Sequence, residues 1–163
     1  MAGTLLLVSA ALLSFALTGL ATHYARRRGL LDHPGERHSH TEPTPRGGGI
    51  GWVLAFFACC GLFLGLGQGL PLPPPVLAAF LCGLAVLALL GWWDDHRDLG
   101  AGLRFAVHLG VSLAFVLALW QAGLLGHAVP AVGAVLFLVW LINLYNFMDG
   151  SNGMAAFQGV FAS

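Results

Sequence analysis

Apolar runs of membrane-crossing length, separated by short polar loops, constrain this chain more than any other feature. They occupy approximately residues 3–23, 48–69, 76–93, 104–123 and 131–147. An α-helix rises 1.5 Å per residue, so about 20 apolar residues cross a hydrocarbon core ~30 Å thick. A sixth run begins at Gly153 and stops at Ser163 with no cap. The expected fold is therefore all-α and polytopic: five transmembrane helices plus the start of a sixth. Residues 1–163 read as a single transmembrane domain, the N-terminal portion of something longer. Composition agrees, since 58% of the residues are hydrophobic and 9% charged, with mean hydropathy +0.82. A soluble domain carries about 25% charged residues.

Charge sets the expected orientation. The first run lacks the basic start of a signal peptide and is followed by Arg26, Arg27 and Arg28. Alternating the loops puts 24–47, 94–103 and 148–152 on one side of the membrane, and 70–75 and 124–130 on the other. The first set, with Arg104 at the adjoining helix edge, holds all seven Arg and all seven acidic residues. Positively charged loops stay in the cytoplasm, so the N-terminus is expected outside and the charged face cytoplasmic. Trp92, Trp93, Trp120 and Trp140 fall near the expected helix ends, where interfacial aromatics collect.

Other classes find little support. Net charge is zero and no Lys occurs, which disfavours a nucleic-acid surface. Cys59, Cys60 and Cys82 lie within apolar runs without CxxC spacing, as buried thiols do. Gly61, Gly65 and Gly69 repeat every four residues, a pattern that predicts close helix–helix approach.

Three polar clusters fall on the charged side. The first, LLDHPGERHSHTEPTPRGGGIGW (30–52), offers Arg37, His38, His40, Thr44 and Arg46 before Gly47, Gly48 and Gly49 open a helix. Arginine forks and the N–H groups of a helix start both favour phosphate. The glycines are not followed by Lys-Ser/Thr, so this is no P-loop. Taken alone, the simpler reading is a topology-setting basic loop with a glycine hinge.

The second cluster is GWWDDHRDL (91–99), where Asp94 and Asp95 point about 100° apart on a helix and Asp98 lies a turn further on. Carboxylates without thiolates suit Mg²⁺, which prefers oxygen ligands beside substrate phosphates. A polar loop in which Arg97 pairs with its neighbours is the plain alternative. The third is NLYNFMDGSNGMA (143–155). On a continuous helix Asn143 and Asn146 share a face, while Asp149 and Asn152 rotate away. Gly150 and Gly153 would let the backbone break and the four groups converge. An Asp costs about 2.5–3.5 kcal/mol near the bilayer centre, and four such groups in ten exceed what capping needs. Together the clusters describe a magnesium-assisted phosphate site serving one soluble and one lipid-borne substrate.

These three motifs, in this order and spacing, resemble bacterial polyprenyl-phosphate N-acetylhexosamine-1-phosphate transferases. That family, of glycosyltransferase family 4 type, includes the phospho-MurNAc-pentapeptide transferase and, more distantly, the eukaryotic dolichyl-phosphate GlcNAc-phosphotransferase. The resemblance covers nearly the whole chain from about residue 20. It implies transfer of an N-acetyl-sugar 1-phosphate from a UDP-sugar to undecaprenyl phosphate, releasing UMP. It also implies a cell-envelope role, with O-antigen or a related surface polysaccharide favoured over peptidoglycan.

By position, Asp94 and Asp95 match the family's paired catalytic and metal-side aspartates. Asn146 and Asp149 complete the implied metal set, with Mn²⁺ as an alternative to Mg²⁺. Thr44, Arg46, Gly47, Gly48, Asn143, Asn146, Asp149 and Asn152 are the implied substrate-binding set, Asn152 facing the uracil. Implied partners are the polyprenyl phosphate, the UDP-N-acetyl sugar and membrane lipids. A homodimer is also compatible with the resemblance. The implied location is the bacterial inner membrane.

Two departures stand out. Many members have Asp where this chain has Asn152, and neither the family's later aspartate nor its histidine-rich loop is present in these 163 residues. The 163 residues alone are therefore expected not to turn over. A CDP-alcohol phosphatidyltransferase is disfavoured because Asp149-Gly150 leads into SNGMAA without Arg. An intramembrane aspartyl protease would carry its acids within spans rather than at an end. A non-catalytic scaffold or transporter fragment is the remaining alternative.

Overall fold

The computed structural model describes residues 2–32, 43–67, 69 and 71–149. Among the described residues the secondary structure is helical apart from one short strand pair. Its elements are α1 (Ala2–Arg28), β1 (Leu31–Asp32), β2 (Thr44–Pro45), α2 (Gly49–Gly65), α3 (Pro74–Arg97), α4 (Ala101–Gln121) and α5 (Ala128–Asp149). Four of these helices are long and apolar enough to cross a membrane: α1 from Leu7, α3, α4, and α5 to Asn146. Many of their large side chains are exposed, including Phe15 at 84% and Val129 at 82%. In water that surface would be untenable, whereas in lipid it needs no cover.

The boundaries differ from the apolar runs for identifiable reasons. Helix α1 passes its expected end at 23 and carries Arg26, Arg27 and Arg28 in its last turn. Cations there oppose the negative end of the helix dipole, so a charged flank can extend a helix rather than end it. Helix α2 stops at Gly65, four residues short of the apolar run. There Leu66 N–H donates to Leu62 O, and Gly67 turns left-handed with φ +74. At 17 residues α2 is a shorter apolar helix than those four. Helix α3 begins on Pro74, whose missing N–H costs nothing at a helix start, and runs through Asp94 and Asp95 to Arg97. Trp140, expected near an end, sits well inside α5.

The described chain forms two compact units. One comprises α1, the strand pair, α2 and residues 91–98; the other comprises residues 73–90, α4 and α5. In the first, α1 packs on α2 at Gly51. A Cβ there would stand 2.4 Å from the Thr18 amide nitrogen, so only glycine allows the two backbones to meet. The expected contact glycines Gly61, Gly65 and Gly69 have nothing within 4 Å of such a Cβ. Close approach is thus real but lies at the other end of α2. In the second unit Val116 of α4 packs with Ala131, Val135 and Val139 of α5. Gly83 abuts Val111, and Phe80 lies 6.2 Å from Phe115, centroid to centroid.

Candidate functional site

Within the first unit the structure joins the first two sequence clusters. The strand pair is antiparallel, with Leu31 opposite Pro45 and Asp32 opposite Thr44. Arg46 N–H donates to Leu30 O at 3.0 Å. These backbone bonds tie Thr44–Arg46 to the exit of α1. Arg46 Nη1 then reaches Asp98 Oδ1 at 3.3 Å. Asp98 takes this partner from 52 residues away in sequence rather than its neighbour Arg97. It does so from a left-handed backbone, φ 40, at the end of α3. Such a conformation is uncommon for a residue with a Cβ, and Asp is among those that tolerate it.

Gly47 turns next, with φ +80, beside the second cluster. A Cβ on it would lie 3.5 Å from Asp95 Oδ2 and 3.8 Å from the Trp92 ring. Gly48 follows against the methyl groups of Thr22 and Thr18. Helix α2 therefore opens with its N-terminal N–H groups next to Arg46 and near a carboxylate of α3. Asp94 and Asp95 are both half-buried, and each has further polar or electrostatic contacts.

An aromatic group that sequence reasoning missed braces this junction. Tyr24 stacks on Trp92 at 5.7 Å with 25° between planes, and Trp92 lies 4.5 Å from His96. His96 Nδ1–H donates to Trp92 O at 2.7 Å, while Arg28 sits over the Tyr24 ring at 5.7 Å. Trp92 and His96 are one turn apart, a spacing visible in sequence. Nothing local to Tyr24 pointed to them; the contact exists because α1 continues past its apolar run.

The third cluster belongs to the second unit. Helix α5 runs unbroken to Asp149, which places Asn143, Asn146 and Asp149 on successive turns. Asn146 is exposed. Asn143 is partly buried; its Nδ2–H donates to Val139 O at 2.7 Å, and its amide also hydrogen-bonds the His108 imidazole. The Asp149 side chain lies outside the described set, as do Asn152, Arg37, His38, His40 and the start at Gly153. Among the described residues no three His, Cys, Asp or Glu side chains gather as a metal site. That search omits the Asn146 and Asp149 side chains of the expected metal set.

Helices of spanning length that end in carboxylates and amides define an integral membrane protein of the polytopic α-helical class. The chain belongs to glycosyl transferase family 4, whose family model matches residues 77–163 and so takes in the second and third clusters. Among curated relatives, the chain is 28% identical to the decaprenyl-phosphate N-acetylglucosaminephosphotransferase of Mycobacterium leprae, over 96% of this chain and 43% of that one. It is 29% identical to the undecaprenyl-phosphate alpha-N-acetylglucosaminyl 1-phosphate transferase of Thermotoga maritima, over 94% and 48%. It is 31% identical to the phospho-N-acetylmuramoyl-pentapeptide-transferase of Deinococcus radiodurans, over 95% and 58%. The chain spans about half the length of these relatives. No solved structure matches it.

Proposed function

We infer that this chain serves a membrane enzyme transferring an N-acetyl-sugar 1-phosphate from a UDP-sugar to a polyprenyl phosphate. Undecaprenyl phosphate is the proposed acceptor, and UMP the second product. The observation that carries the reading is the junction of Arg46 and the Gly47 turn with Asp95 and Asp98. It sets an arginine fork and a glycine-opened helix start beside carboxylates, within a family whose named relatives act on polyprenyl phosphates.

Each group has a physical task in that reaction. Arg46 is paired with a largely exposed Asp98 and can exchange that carboxylate for a phosphate. An exposed ion pair is worth only about 0–1 kcal/mol, so the exchange is inexpensive. The N–H groups opening α2 favour the same anion. Gly47, at φ +80, supplies the left-handed turn that opens α2 beside Asp95. The exposed Asn146 amide can both donate and accept, as a nucleotide or pyrophosphate edge requires.

The donor set is oxygen-only, with two half-buried carboxylates adjacent on α3, and this fits Mg²⁺ better than a soft metal. Asp94, Asp95, Asn146 and Asp149 are the residues that would hold it, with Mn²⁺ as a substitute. When bound, the ion supplies charge neutralisation at the pyrophosphate. We place the charged loops on the cytoplasmic face of a bacterial inner membrane, by the asymmetry of Arg. The pathway we favour is initiation of O-antigen or a related envelope polysaccharide.

The test is UMP release from UDP-N-acetyl sugars with undecaprenyl phosphate by the full-length gene product. Asp95→Asn should lower kcat at least about 100-fold, the scale of losing one preorganised electrostatic group. Retention of full transfer by this variant would instead favour a non-catalytic scaffold.

A further inference from the structure

The second unit contains a buried polar group that the proposed chemistry leaves unused. His108 of α4 is 5% exposed, and Ser112, one turn on along the same face, is 1% exposed. His108 Nδ1 and Ser112 Oγ have no hydrogen-bond partner among the described residues. The imidazole therefore meets Asn143 through its other nitrogen, Nε2. Asn143 Nδ2 also donates to Val139 O, so one amide ties the ring to the backbone of α5.

That bond joins two helices that share an apolar core. Val116, Ala131, Val135 and Val139 form the core, with Leu109, Ala134 and Leu138 packed against it. In lipid such a surface does not fix the rotation of a helix, because the outside is as apolar as the inside. A hydrogen bond with one partner on each helix does fix it. The Asn143 amide is engaged by Val139 O and the His108 ring, whereas Asn146, three residues on, is exposed. We propose that His108 is a positioning residue of the transfer reaction, locking α5 through Asn143 so that Asn146 is the amide presented to substrate. Asn143 thereby moves from the substrate-binding set to the scaffold. The role in transfer rests on the transferase reading; the helix lock does not.

The experiment uses the full-length protein in membranes, with Cys59, Cys60 and Cys82 changed to Ser and Asn146→Cys as a reporter. Its labelling by a water-soluble maleimide reads the rotation of α5 without needing activity. His108→Leu should slow labelling about tenfold, the scale of one interhelical hydrogen bond. His108→Gln keeps a group near the Nε2 position that can donate or accept, and should stay within about twofold of the parent. Unchanged labelling in His108→Leu overturns the proposal. Should that variant fail to accumulate, His108→Asn replaces it. Its amide falls short of Asn143, and equal labelling of the Asn and Gln variants overturns the proposal.

With Asn146 restored, His108→Leu should lower kcat about tenfold at nearly constant KM, and His108→Gln should recover it. A raised KM at unchanged kcat refutes the positioning role. If the parent releases no UMP from any UDP-sugar, the transferase reading fails while the labelling result still decides the lock.

Discussion

Two polar contacts in this protein are built under opposite conditions. Arg46 and Asp98 meet with relative side-chain exposures of 37% and 93%, through one bond of 3.3 Å. His108 and Asn143 meet between apolar helices, the imidazole almost wholly enclosed. The first pair can be exchanged for another ligand because water and salt already compete for it. The second cannot, because nothing polar replaces a partner withdrawn in hydrocarbon. The comparison separates groups suited to meeting a phosphate from groups suited to holding a helix still.

Backbone contact in the two units differs in the same way, and the largest expected effect tests it. Gly51→Ala sets a methyl against the Thr18 backbone, which cannot step aside. We expect a loss of about 3 kcal/mol, the upper range of overpacking, read from the thermal midpoint in detergent. Gly61→Ala, with open space around it, should leave that midpoint unchanged; equal effects at both sites would refute the α1–α2 contact. Gly83→Ala in the second unit meets only Val111 Cγ1, a side-chain atom at 2.9 Å. Because a valine methyl can shift, the cost should be nearer 1 kcal/mol. A loss as large as that of Gly51→Ala would show α4 to be as immovable as α1.

Smaller effects sharpen the polar comparison. A double-mutant cycle on Arg46→Gln and Asp98→Asn should give a stability coupling of about 0–1 kcal/mol, vanishing in high salt. A salt-independent value above that would mean the pair is fixed rather than exchangeable. Ser112→Ala should change stability by less than about 0.5 kcal/mol, because the hydroxyl has no partner to lose. On that view Ser112 is present for its small size at a helix contact. A marked loss would reveal a polar partner instead.

Much of the candidate site was legible in the chain. The acids at 94, 95 and 98 and the amides at 143 and 146 stand out because polar groups are rare in such apolar surroundings. Their helical phase follows from spacing alone. The pairing of Arg46 with Asp98 could not be read, since Arg97 is the nearer cation and only the strand pair brings residue 46 across. Tyr24 was hidden because apolar length marked the end of α1 too early. His108 drew no notice in the sequence, because its partner Asn143 lies on another helix.

What the sequence determined by itself was membership and medium. Long apolar runs dictate helices in lipid, where every backbone group must be satisfied within its own segment. The tertiary structure decided which small residues become contacts and which polar residues become ligands or locks. A four-residue glycine repeat at 61, 65 and 69 promised a helix interface, yet Gly51 makes it. Periodicity says that a face is smooth, but only the neighbouring helix says which part of it is touched.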